Sequence, residues 1–187
     1  ALAQNTLMNT AAELPAASPE HGLMTFEQPL SERMRTFLRV EFLFGQTLFH
    51  VDEPTEFSSR AAVTALLEIL TILGRGDVRS DVVKELERHA DMLGRFKSQP
   101  GVDPSRLTGL IDNIDDLRQQ LAEAGPHLIN PLKECDFLNT IRHRSTIPGG
   151  TCMFDLPDYG YWLHLPPAER RRQLEDWTSR LRPICDA

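Results

Sequence analysis

Residues 77–125, DVRSDVVKELERHADMLGRFKSQPGVDPSRLTGLIDNIDDLRQQLAEAG, decide the fold. In the first half Val82, Leu86, His89, Leu93 and Phe96 recur at steps of four and three, the spacing of an apolar seam along a helix. In the second half Leu107, Leu110, Ile114, Leu117 and Leu121 repeat the pattern. Asp103 stands as an N-cap with Pro104 at the first helical position, and Gly125-Pro126 ends the run. Two long helices joined by the short KSQPGV link predict an antiparallel hairpin, so the chain is expected to be built mainly of helices.

Upstream, FEQPLSERMRTFLRVEFLFGQTLFHV (residues 26–51) predicts a helix capped by Ser31, with Met34, Phe37, Leu38, Phe42 and Leu48 as its apolar stripe. A second helix is expected from Phe57 to Leu73, with Gly74 as a left-handed stop. Residues 1–25 are small, polar and proline-containing, without the basic start and apolar stretch of a secretory signal, and are expected to be a disordered extension.

Downstream, a shorter helical piece after Pro131 carries Leu132, Phe137, Leu138 and Ile141 up to Arg142 and Arg144. From Thr146 a Pro-Gly-Gly turn and a run of aromatic residues broken by Pro157 and Gly160 predict two short extended segments between Thr151 and Leu165. The alternation of Tyr161, Leu163 and Leu165 with Trp162 and His164 has the period of a strand. A last helix follows Pro166-Pro167, with Leu174, Trp177 and Leu181 on one stripe and Arg170, Arg171, Arg172 and Arg180 elsewhere. The expected fold class is α+β, predominantly α-helical, with a small, incomplete antiparallel β region. The expected division is an extension over 1–25, a helical domain over 26–145, and the start of a β-rich region over 146–187.

The bulk properties narrow the function. Of 187 residues, 41% are hydrophobic and 25% charged, the balance of an ordinary globular domain. No apolar run approaches the length of a membrane-spanning helix, so no membrane partner is expected. The formal net charge of -7 opposes a broad nucleic-acid surface. Three widely spaced cysteines, Cys135, Cys152 and Cys185, do not form a disulfide framework and suit a reducing cytoplasm.

Four blocks carry a family resemblance: FEQPLSERMRTFLRVEFL, GRGDVRSDVVKELERH, PGVDPSRL and RHRSTIPGGTCMFDLPDYGYWLHLP. In order and spacing they resemble the ZapD family over about Phe26 to Leu181. The resemblance implies a helical domain joined to a β-rich domain, a homodimer, and binding to the C-terminal tail of the tubulin-like division protein FtsZ, whose protofilaments such a protein bundles at the mid-cell septum. ZapD-like chains continue past the last helix into further strands, so the resemblance also implies a C-terminally truncated member.

The clustered arginines are the candidate site in an otherwise acidic chain. Arg142 and Arg144 flank His143 before the PGG turn, and Arg170 and Arg171 open the last helix. A guanidinium makes two charge-assisted hydrogen bonds to one carboxylate, which suits an acidic peptide such as the FtsZ tail. The plain alternative is a solvated helix face with incidental ion pairs. No catalytic site, metal or cofactor is expected: the PGG lacks the following Lys-Ser/Thr of a phosphate loop, and no CxxC, HxxxH or HExxH is present. Cys152 with His164 is the one tempting nucleophile and base, without an orienting third group. A helical adaptor for another acidic peptide is the competing binding function.

Overall fold

The structure is a computed structural model that describes residues 26–187. Among the described residues the ordered elements are helices: α1 (Glu32–Asp52), α2 (Glu56–Arg75), α3 (Val78–Gly94), α4 (Pro104–Ala124), α5 (Asn130–Lys133), α6 (Asp136–Arg144), α7 (Pro157–His164), α8 (Pro167–Ser179) and α9 (Arg182–Cys185). The chain is therefore predominantly helical. The expected extension over 1–25 lies outside the described residues.

Helix starts follow the local chemistry. Ser31 accepts a hydrogen bond from the Met34 amide, Thr55 from Ser58 and Asp103 from Ser105 and Arg106, each satisfying amides that a first turn leaves free. The helix predicted to stop at Gly74 runs to Arg75, with Gly76 as its cap.

α1 and α2 form the most extensive helix pair, joined by only Glu53, Pro54 and Thr55. α2 is the central element: Ala62, Val63, Leu66 and Ile69 are fully enclosed. By length and composition α2 is apolar enough to cross a membrane, which the search for continuous apolar runs missed. Its packing accounts for that composition, because such a helix is apolar nearly all round.

The predicted α3–α4 hairpin is present, and it is uneven. Val82, Leu86 and Leu121 join the core, whereas Leu110 and Phe96 near the turn are exposed. At the base, the Arg79 guanidinium donates twice to the Leu121 carbonyl, at 3.0 and 2.7 Å, occupying an acceptor that the end of α4 leaves free.

The extended segments expected between Thr151 and Leu165 are corrected: these residues form a run of turns followed by α7, and no strand occurs among the described residues. The side chains that go inside are Tyr159, Trp162 and Leu163, spaced by three and four. Pro157 occupies the first turn, where its missing amide costs nothing. Gly160 permits the turns to close on α7, since a Cβ there would stand 2.8 Å from Met153 Cγ. Helical burial of Trp162 outweighed the β preference of the aromatic residues.

Trp162, Tyr159, Phe137 and Trp177 pack into one cluster of stacked, tilted and edge-on rings, with centroid separations from 5.7 to 6.1 Å. Trp162 Nε1 donates to Gln173 at 2.7 Å, and the Arg60 guanidinium lies 5.0 Å over the Tyr159 ring. The cluster joins α6, α7 and α8. The apolar core runs on from it without a break into α1 and α2.

Arg170, expected on the binding surface, is turned inward with only 4% of its surface exposed. Its guanidinium donates to Ser59 Oγ at 3.0 Å, to the Leu163 carbonyl at 2.8 Å, and to the carbonyls of Leu165 and Pro54. One cation thereby ties the start of α2 to the end of α7. No carboxylate is among these partners; the charge is held by carbonyl dipoles, including those at a helix C-terminus.

Arg170→Leu should lower stability by about 3 kcal/mol in urea titration, because it leaves several buried acceptors unpaired. Arg172→Leu, on the exposed side of α8, should change it by no more than about 0.5 kcal/mol. A second prediction concerns alkali. Burial pushes Tyr159 up to about 12 from 10.0, and burial with the neighbouring Asp186 charge pushes the Cys185 thiol up to about 12 from 9.0. Between these limits the folded chain holds protons that the unfolded chain has released. Stability should therefore be intact below pH 9 and fall as pH rises toward 12, read as a declining urea midpoint.

Candidate binding surface

α6 ends in Arg142, His143 and Arg144, where cations are favoured by the helix dipole. The chain then turns repeatedly: Ile147 N donates to Arg144 O at 3.0 Å, Gly150 N to Ile147 O at 2.9 Å, Cys152 N to Gly149 O at 2.9 Å and Leu156 N to Cys152 O at 2.9 Å. The Ser145 and Thr146 hydroxyls bond back to the carbonyls of Ile141 and His143. Arg60 Nη1 fastens the Thr151 carbonyl to α2 at 3.1 Å. The irregular segment is thus held by its own backbone and by one long-range bond.

This framework pushes apolar side chains outward. Ile147 is 49% exposed, Met153 51% and Phe154 83%, and Tyr161 follows on α7 at 71%. Arg142 is half-buried and Arg144 exposed, and among the described residues neither makes an ion pair. Cations without partners therefore adjoin an apolar loop, a combination suited to a peptide that carries both carboxylates and bulky apolar residues.

The four arginines singled out in the sequence are not brought together as one cluster. Arg170 is internal, as described above. Arg171 is exposed and already paired, with Asp52 at 2.7 Å and Glu175 at 2.8 Å. The hydrogen bond to Glu175, then the charges of Asp52 and Glu175, raise its pKa further. Arg142 and Arg144 remain without carboxylate partners.

A second basic surface escaped the sequence reading. Where α2 gives way to α3, Arg75, Arg79 and Lys133 line an open groove of about 460 Å³ with Gly74, Gly76, Asp77, Leu128 and Ile129. Lys133 lies across Gly74, its Nζ 3.6 Å from where a Cβ would be. Neither Arg75 nor Lys133 makes an ion pair among the described residues. The two are 58 positions apart in sequence, so only the fold brings them together; GRGDVR was the available signal.

The suggested Cys152–His164 pair does not form. His164 Nδ1 lies 2.8 Å from the Gly160 carbonyl, which makes that nitrogen the donor, and Nε2 faces Glu56 at 3.9 Å. Cys152 is exposed on the loop, and all three cysteines are free. Among the described residues no three His, Cys, Asp or Glu side chains converge on a possible metal position.

The ZapD family model, described as a cell division protein, matches residues 38–187 and so takes in both basic surfaces and the turn segment between α6 and α7. The chain belongs to the ZapD family. A curated relative, cell division protein ZapD of Dechloromonas aromatica, is 38% identical over 165 residues, which are 88% of this chain and 66% of that protein. The chain thus spans just under two thirds of the length of this ZapD. The family is one of cell division proteins.

The turn segment should depend on Gly150. A Cβ there would stand 2.5 Å from the Arg144 carbonyl oxygen and 2.9 Å from Ile147 Cβ, and backbone on both sides prevents relief. Gly150→Ala should cost about 2 kcal/mol or more, and amide exchange should quicken over residues 145–156 ahead of α1 and α2.

Proposed function

We propose that this chain binds the C-terminal tail of FtsZ and, as a cytoplasmic homodimer recruited to the mid-cell division site, cross-links FtsZ protofilaments. Membership in a cell division family supports the setting. The observation that carries the reading is that Arg142 and Arg144, without carboxylate partners, end the helix that leads directly into the turn segment bearing exposed Ile147 and Phe154. Each tail would be held by charge-assisted hydrogen bonds from the guanidinium groups and by burial of an apolar residue on the loop. Contacts of this size are individually weak. Two sites on one dimer, meeting many tails along a filament, make them effective through high local concentration.

Within this reading Arg170 serves the fold, and Arg171 contributes only by exchanging Asp52 or Glu175 for the tail. The Arg75–Lys133 groove supports a second location for the same ligand, because it is concave and its two unpaired cations outnumber the one carboxylate in its wall, Asp77.

The test is fluorescence anisotropy with a labelled FtsZ C-terminal peptide at low and raised salt. Binding should weaken as salt screens the pairs, and Arg142→Glu with Arg144→Glu should raise Kd roughly tenfold or more. Retained affinity in that variant, with loss in Arg75→Glu/Lys133→Glu, would move the site to the groove. Absence of binding at either salt, with capture of a different acidic peptide, would replace the FtsZ reading with the adaptor one.

A further inference from the structure

Arg60 reaches the turn segment from α2, 82 residues before Arg142 in sequence. Its guanidinium is held at two points: Nη1 donates to the Thr151 carbonyl at 3.1 Å, and Cζ lies 5.0 Å from the centre of the Tyr159 ring. Among the described residues Arg60 forms no ion pair, and its Nε and Nη2 donate to no protein group. The buried side-chain nitrogens without a partner among these residues belong to His50 and Arg118, so the spare donors of half-buried Arg60 meet solvent. Glu56, one turn earlier on the same face of α2, faces His164 Nε2 at 3.9 Å instead. Asp155 and Asp158, the carboxylates nearest in sequence to Thr151, are exposed and form no ion pair with it.

Unpaired arginines thus come to one set of turns from two helices. Thr151 follows Gly150, where a Cβ would stand 2.5 Å from the Arg144 carbonyl oxygen. Arg60 therefore bonds the chain one residue from the point where it closes on the end of α6. Exposed apolar residues flank that bond in sequence: Met153 and Phe154 just after Thr151, and Phe57, 83% exposed, one turn before Arg60 on α2. A guanidinium fixed before its ligand arrives loses little side-chain freedom on binding, which makes it a better anchor than a freely moving cation. Free donors beside apolar side chains suit a ligand that carries a carboxylate next to an apolar residue.

We infer that Arg60 is a third cation of the ligand surface formed by α6 and the turns, its free donors taking a carboxylate of the acidic peptide whose apolar neighbour packs on Phe57. The inference rests on the tail-binding reading and extends that site onto α2. Arg60 also fastens Thr151, so holding the turns and binding a carboxylate have to be told apart, and salt does so. Losing an ion pair with the ligand reduces the salt dependence of binding, whereas loosening the turns does not.

The test is the anisotropy of the labelled FtsZ C-terminal peptide with the whole chain, read as Kd across a salt series. Arg60→Gln should raise Kd roughly tenfold at low salt and flatten its rise with salt. Replacing the peptide's acidic residues one at a time by their amides should reveal one position whose loss costs affinity in the unaltered chain and little in Arg60→Gln. Gly150→Ala, which loosens the same turns and keeps the guanidinium, should leave the salt slope unchanged. Wild-type Kd and slope in Arg60→Gln overturn the inference and leave tail binding standing. Weaker binding at an unchanged slope also overturns it, by making Arg60 a fastener of the turns alone. Absence of binding by the unaltered chain at every salt overturns the inference together with the tail-binding reading.

Discussion

The Arg170 guanidinium is the constraint on which the arrangement of the later helices depends. A buried cation with no counter-charge is stable only where oriented oxygens surround it, and here they come from Pro54, Ser59, Leu163 and Leu165. Those oxygens fix the start of α2 relative to the end of α7. With both anchored, the rings of Tyr159, Trp162 and Trp177 stack in sequence with Phe137 packed against all three, and the turns between α6 and α7 are clamped by Arg60. The exposed loop is therefore shaped by contacts made on its inner side. Its outward residues keep their apolar surface in water because the backbone leaves them no inward alternative.

The core of α1 and α2 provides stability, and under the proposed function the basic surfaces at α6 and at the α2–α3 junction would hold an anionic ligand. Weak, exchangeable contacts of that kind suit a cross-linking protein, whose hold on a filament comes from many tails rather than from one tight site.

The helical part of the fold was legible because its signals are local. Ser31, Asp103 and Pro104 mark helix starts, Gly125 marks an end with a φ of 69°, and the three-four spacing of residues 82–121 identifies the hairpin. The segment from 151 to 165 misled because five residues with alternating character match a strand and a short helix about equally well, and only the burial of Tyr159 and Trp162 decides between them. Orientation is what the sequence withholds for the arginines of α8. Arg170 and Arg171 are neighbours in sequence, yet successive helical residues point about 100° apart, one into the core and one into solvent. The Arg75–Lys133 groove was signalled only in part, by GRGDVR, because a distant segment supplies Lys133.

The reach of Arg170 has a consequence for the order of events on the ribosome. Its partner Ser59 lies 111 residues earlier. At the usual pace of synthesis, about 5–20 residues per second, roughly 6 to 22 seconds separate the emergence of the two. Early in that interval the nascent α2 has only α1 to cover it, since α7 and α8, which also pack on it, are made last. The early pair must hold as a local hairpin, shielded by its short connection and by whatever chaperone attends the tunnel exit, until α8 arrives to close it.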